Sequence, residues 1–199
     1  MSISKHMSRL VALGATTALA AGTVLMAAPA AEAKVSSVKS GFTCDSDFGP
    51  QKFDITTKMD LPAKVKKGKS VPGKPVRLVA AISSETADLL RAIGAEYISV
   101  TADKVKASAG STKIPVAGVK SPKTAVPETG GFNVVAKGTA AAFSIAKPGS
   151  YTVKIPTKFL FSITQYTAAQ PDGSPLLENL GCAVDKGEPT KLTTLTVTK

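Results

Sequence analysis

Histidine and tryptophan are nearly or wholly missing from this chain. Its one histidine, His6, lies in an N-terminal segment expected to be removed, and there is no tryptophan. Without histidine a mature chain has no imidazole base and no histidine metal ligand. Seven phenylalanines and three tyrosines are the only aromatic residues, too few for a stacked platform that grips sugars or single-stranded nucleic acid. Arginine is just as scarce: of 25 basic residues, 22 are lysine and only Arg9, Arg77 and Arg91 are arginine. Bidentate reading of phosphates and base edges favours the guanidinium fork, so no specific nucleic-acid partner is expected. Cysteine occurs twice, at Cys44 and Cys182.

The N-terminus is read before the fold. Lys5, His6 and Arg9 make a basic start, and Leu10–Ala28 is apolar and rich in small residues. Ala31 and Ala33 then fit the small-x-small pattern of a signal cleavage site, so residues 1–33 read as a secretory signal peptide cut after Ala33. An uncleaved N-terminal anchor is the competing reading, because the apolar run approaches the length of a membrane span. No membrane span is expected in the mature chain. Residues 1–33 hold two basic residues and one acidic one, which leaves 23 basic against 13 acidic in the remaining 166 residues. That length suits one domain with a real core. The boundaries read from the sequence are a flexible leader at 34–41 and a single domain at 42–199.

Export carries the chain into an oxidising compartment, where two cysteines usually pair. Both have strand-like flanks, Phe42 and Thr43 before one and Ala183 and Val184 after the other. A Cys44–Cys182 bridge joining the first and last strands is the leading expectation; a free thiol and an intermolecular bridge are the alternatives.

Along the chain, period two dominates. Phe53, Ile55, Thr57, Met59 and Leu61 alternate with polar residues, the pattern of a half-buried strand. "PVRLVAAI", "AEYISVTADKVKAS", "FNVVAKGTAAAFSI", "GSYTVKIP", "KFLFSITQYT" and "KLTTLTVTK" read as further strands, with one more short strand near Ile114–Val119 in a proline- and glycine-punctuated stretch. "AKPGS", "IPTK" and "QPDGSP" read as turns. One short helix is expected near 84–93, capped by Ser83 or Ser84, ended by Gly94, with Leu89, Leu90 and Ile93 as its apolar stripe. Seven to nine short strands with one minor helix indicate a mainly β, antiparallel β-sandwich of immunoglobulin-like type.

The order of these features resembles a family of secreted actinobacterial domains of unknown function. Its carriers are a leading Cys44, "LPAKVKKGKSV", "ETADLLRAIGAEYISV", a proline-rich middle, "KPGSYTVKI" and a late Cys182 followed by "KLTTLTV". The resemblance covers roughly Cys44 to Val197 and implies a fold and a compartment, with no catalytic residues. The lysine richness departs from that setting.

No catalytic or metal-binding residues and no cofactor are expected. Ser144–Lys147 and Ser36–Lys39 have the Ser-x-x-Lys spacing of some acyl-transfer enzymes, which needs consecutive turns of a helix; neither lies in a helical pattern. "VPETG" at Val126–Gly130 is similar to a cell-wall sorting signal, but it is internal and begins with Val126. Asp45 and Asp47 start a calcium-loop spacing that fails at Thr56, where a glutamate would be needed. The strongest feature is a run of cations, Lys64, Lys66, Lys67, Lys69, Lys74 and Arg77, preceded by Lys58 and opposed only by Asp60. It reads as a lysine-rich surface loop, either simply solvated or docking an anionic cell-wall polymer. The expected function is a secreted, non-enzymatic binding module outside the cell, without a cofactor and associated with the envelope or with another secreted protein. The alternative is a structural role in an extracellular assembly, through edge-strand pairing by Phe159, Phe161 and Ile163 of "KFLFSITQYT".

Overall fold

A computed structural model describes residues 33–46 and 49–199, which form fifteen strands and one helix. In chain order the strands are β1 (Ala33–Cys44), β2 (Gln51–Pro62), β3 (Lys64–Lys66), β4 (Ser70–Val71) and β5 (Lys74–Ile82). After the helix α1 (Ser84–Ala92) come β6 (Tyr97–Asp103), β7 (Lys106–Ala109), β8 (Thr112–Lys120), β9 (Thr124–Ala125) and β10 (Phe132–Ala140). The last five are β11 (Phe143–Ser144), β12 (Gly149–Lys154), β13 (Lys158–Thr167), β14 (Gln170–Val184) and β15 (Lys191–Thr198).

Eight antiparallel strands close on themselves in the order β8-β10-β5-β2-β1-β14-β13-β6, with β6 returning to β8. The described residues therefore form a closed barrel with extra strands, where the sequence suggests a two-sheet sandwich. The reason is physical: alternation reports which face of a strand is buried, and that pattern is the same in a sandwich and a barrel. Closure rests on two narrow seams. β6 meets β8 only at Thr101–Lys120 and Ala102–Val119, and β1 meets β14 only at Phe42–Val184, Thr43–Ala183 and Cys44–Cys182. By contrast, β1 and β2 pair along twelve positions.

The disulfide sits in the second seam. Cys44 and Cys182 face each other directly, are bonded, and are 1% and 2% exposed. Their partner strand is β14, the penultimate one, rather than the last. The Phe42 and Phe159 rings pack 5.2 Å apart, and those of Phe53 and Phe161 5.7 Å apart. Side-chain bonds carry the seam further along β1. Thr43 Oγ1 donates to Asp185 Oδ1 at 2.6 Å, Gly41 N–H donates to Glu188 Oε2 at 2.9 Å, and the buried Ser40 hydroxyl donates to the Pro189 carbonyl. Residues 34–41, read as a flexible leader, are thus part of β1. The proposed cleavage residue Ala31 and the body of the signal segment lie outside the described residues, and Ala33 is the first residue of β1.

Phe53, Ile55, Thr57, Met59 and Leu61 all point inward as their alternation predicts. The barrel is filled: about 20 Å³ of free space remains between Ile55, Leu78, Val100, Val119, Val134 and Phe161. That is room for about one water, and the walls are apolar, so the space stays dry. Apolar residues face in and charged ones face out, the reverse of a membrane-spanning barrel.

β8 turns out of the barrel partway along its length. Its first half pairs with β7, which continues through β12 and β15 to β3. Its second half pairs with β10 across an irregular register, where Gly118 has φ +63°. Gly138 faces this bend; a Cβ there would lie 2.6 Å from Val119 Cγ2 and 3.0 Å from the Ala117 carbonyl oxygen. α1 starts as expected, with the Ser83 hydroxyl accepting from Thr86 N–H at 3.1 Å. Its buried residues are Ala87 and Leu90, whereas Leu89 is 62% and Ile93 50% exposed. Of the expected stripe Leu90 is buried and Leu89 and Ile93 are not; Ala87, one turn earlier, completes the buried face. "QPDGSP" is strand β14 and not a turn; the hairpin turns at Ala168–Ala169, between Thr167 and Gln170.

β13 lies between β14 and β6, paired on both sides, with Phe159, Phe161 and Ile163 buried. These residues are core, and the expected edge strand is an interior one.

Replacing both cysteines by alanine is expected to cost about 2–5 kcal/mol, since the bridge closes a separation of 138 residues. Urea unfolding of the two forms measures it; a loss below about 1 kcal/mol would mean that the polar contacts hold the seam without the bridge. Gly138→Ala should cost about 1–3 kcal/mol through overpacking at the β8 bend, read by the same unfolding curve.

Candidate functional site

The strand branch off β8 builds two adjoining clefts on the outside of the molecule. One, of about 520 Å³, is lined by Asp45, Lys104, Lys106, Lys113 and Lys158, with a floor of Phe159, Leu160 and Cys182. The other, of about 580 Å³, is lined by Lys106, Lys113, Lys154, Ser108, Tyr151 and Thr152. Lys106, Lys113 and Thr157 belong to both. Together they make one basic concavity with five lysines and one carboxylate.

Alternation explains why these lysines converge. In β7 and β8, Ala107, Ala109 and Ile114 are fully buried, which leaves Lys106, Ser108 and Lys113 on the opposite face. Ser108 stands opposite Lys113 on one side and Lys154 on the other, and Lys154 stands opposite Lys191. Val153 is fully buried next to the exposed Lys154. The tight β7–β8 turn uses Gly110 at φ +59°, where a Cβ would come within 2.9 Å of the Tyr151 ring. Tyr151 Oη in turn donates to the Lys147 carbonyl at 2.9 Å. Lys104, on the turn into β7, has φ +57°, a left-handed conformation that costs a non-glycine residue about 1–2 kcal/mol.

The cleft carries five lysines against one carboxylate, Asp45. Among the described residues the ion pairs are Lys39–Asp54 at 2.7 Å and Asp88–Arg91, and no cleft lysine is in either. Lys39 lies outside the cleft; the hydrogen bond it donates to the Asp54 carboxylate, and that carboxylate's charge, hold the ammonium above its ordinary pKa. Five exposed ammonium groups around a hollow with hydroxyls from Ser108, Thr152 and Thr157 can bind anions, with the hydroxyls donating alongside them. Ser144 lies in β11 opposite Ser70, and Lys147 lies in the following loop, so this pair is not on consecutive turns of a helix. Asp47 lies outside the described residues. No group of three or more His, Cys, Asp or Glu side chains converges as a metal cage among the described residues.

The cations expected to act together are dispersed. Lys64 and Lys66 lie in β3, which pairs in parallel with β15, and Lys67 and Lys69 lie in the tight turn after it, all exposed. This segment is not a free loop: Val71 is buried, Val65 packs on the core, and Gly68 N–H donates to the Ile145 carbonyl at 2.9 Å. Lys74 is half-buried at the start of β5, and Arg77 is exposed on the outside of the barrel. None of the six lines the cleft. Lys104, Lys106, Lys113, Lys154 and Lys158 went unread because they are spread over 55 positions of sequence; the alternation in "KASAGSTKIP" was the available signal.

Fold and site together define a disulfide-stapled β-barrel domain with a filled interior and a basic cleft on its surface. The chain belongs to a family of unknown function (DUF6801), whose model matches residues 41–193. No curated protein and no solved structure matches it.

The double variant Lys106→Gln/Lys113→Gln should leave unfolding within about 0.5 kcal/mol of the parent, because both side chains are exposed and outside any ion pair. It should also elute from a phosphocellulose column at lower salt. A stability loss above about 1 kcal/mol would place these lysines in packing rather than at a binding surface.

Proposed function

We propose that this protein is a secreted, non-enzymatic binding module that docks on an anionic polymer of the cell envelope through the basic cleft. The observation that carries the proposal is the convergence of Lys104, Lys106, Lys113, Lys154 and Lys158 on one concavity outside any ion pair. A buried disulfide fits an oxidising compartment, and the N-terminal pattern with Ala31 and Ala33 fits export. The space inside the barrel, about 20 Å³, is too small for a ligand, which favours recognition at the surface. The lysine-rich segment from Lys64 to Lys74 takes a secondary place in this reading, because its charges do not line a hollow. Edge-strand pairing through Phe159, Phe161 and Ile163 loses its basis with β13 inside the sheet.

The test is co-sedimentation of the bridged protein with purified cell-wall sacculi, with and without their anionic polymers, across a salt series. Binding that requires the polymer, fades as salt rises and falls at least tenfold in Lys106→Gln/Lys113→Gln/Lys154→Gln supports the cleft as the docking site. Binding that ignores the polymer, or none at low salt, overturns it.

A further inference from the structure

A second array of cations crosses the outside of the barrel on four neighbouring strands. Lys58 on β2 stands directly opposite Arg77 on β5. Arg77 stands opposite Lys137 on β10, and Lys137 opposite Lys120 on β8. Ser37 on β1 and Thr101 on β6 extend the row at its two ends, opposite Lys58 and Lys120. Thr57, Val76, Leu78, Ala136 and Val119 are buried beside these positions, so the row faces out; Arg77, Lys137 and Lys120 are exposed and Lys58 is half-buried.

Residues directly opposite in an antiparallel pair bring their Cβ atoms to about 4.5–5.5 Å, and like charges there are destabilising. Three such pairs in succession therefore work against the fold. None of the four cations forms an ion pair among the described residues. Asp60 is two residues from Lys58 on the same face, yet its Oδ1 has no hydrogen-bond partner. Elsewhere on the same outer surface the arrangement is the ordinary one, Lys39 against Asp54. An uncompensated row is what a bound anion would neutralise.

The spacing and composition of the row define the ligand. Strands lie about 4.8 Å apart, so the four cations span about 14 Å in a line perpendicular to the strands. Pro75, Val79, Val135 and Thr139 are the same-face neighbours on β5 and β10, and none offers an aromatic ring on which a sugar or base could stack. Arg77 supplies a guanidinium fork for phosphate oxygens, and the three lysines supply point charges. We infer that this row is a second anion site, sharing no residue with the cleft, that takes a linear phosphate polymer laid across β2, β5, β10 and β8.

The probe is inorganic polyphosphate of graded chain length, titrated at low salt into Lys106→Gln/Lys113→Gln/Lys154→Gln, in which the cleft is disabled. Affinity should climb with length until the chain covers the row and then level off. Adding Arg77→Gln/Lys137→Gln should lower it at least tenfold while the melting temperature stays level or rises, as relief of repulsion requires. Unchanged affinity in that variant overturns the site, whatever the fate of the cleft. Tighter binding of polygalacturonate than of polyphosphate at matched charge overturns the phosphate assignment. A readout free of substitutions is lysine acetylation of the unaltered protein: polyphosphate should protect Lys58, Lys120 and Lys137, and equal labelling with and without it overturns the proposal.

Discussion

The β1–β14 seam is the constraint on which the rest of the structure depends. A twelve-residue ladder binds β1 to β2, and β13 and β14 pair along nearly their whole length, yet these two well-made units touch through three residue pairs. Hydrogen bonding alone would leave that junction, like the β6–β8 seam, a weak point of the closed sheet. The bridge between Cys44 and Cys182 lies in the last of the three pairs, and Ser40, Gly41 and Thr43 continue the junction through bonds to residues 185–189. Gly41 gains a reason from this: a Cβ would come within 3.2 Å of Asp185 Oδ2 and 3.4 Å of the Glu188 carboxyl carbon, crowding the side chains that extend the seam.

With two seams this narrow, the molecule is a barrel by topology and close to two sheets by construction. One sheet runs β8-β10-β5-β2-β1, the other β14-β13-β6. Alternation along β2, the cap at Ser83 and the pairing of two lone cysteines were all legible in the sequence, because each follows from local chemistry or from a count. Closure was not, since it depends on five residue pairs between distant segments that leave no periodic trace. The position of β13 was hidden for a related reason. An apolar alternating strand looks equally adhesive whether its ladder is free or taken, and here β6 and β14 take both sides.

The cations divide in the same way between the legible and the hidden. A dense run such as Lys64 to Lys74 is visible because its members are neighbours in sequence, but density along the chain is not convergence in space. In "KVKKGKSV" the valines anchor the segment and the lysines fan outward over β3 and the turn. The cleft lysines come from β7, β8, β12 and β13 and their connections, each contributing one or two charges that look unremarkable alone. Sheet geometry assembles them, because strands that are hydrogen-bonded neighbours put outward residues side by side every second position.

A filled interior and a charged exterior have a joint consequence for function. The space of about 20 Å³ between the apolar side chains inside the barrel is too small for a ligand, and the 23 basic against 13 acidic residues of positions 34–199 put the excess positive charge on the outer surface. If that charge served only to keep molecules apart, the cheapest arrangement would interleave lysines with the available carboxylates, as β1 and β2 do with Lys39 and Asp54. The sheet instead sets Lys58, Arg77, Lys137 and Lys120 in consecutive registers and Lys106, Lys113 and Lys154 around a hollow. Repulsion between opposed like charges falls steeply with added salt, and it falls equally when a polyanion lies between them. A domain whose seam is covalently locked can tolerate that repulsion in the unbound state. The disulfide and the lysine rows are in this sense parts of one design, the first holding the sheets in place so that the second can remain unpaired.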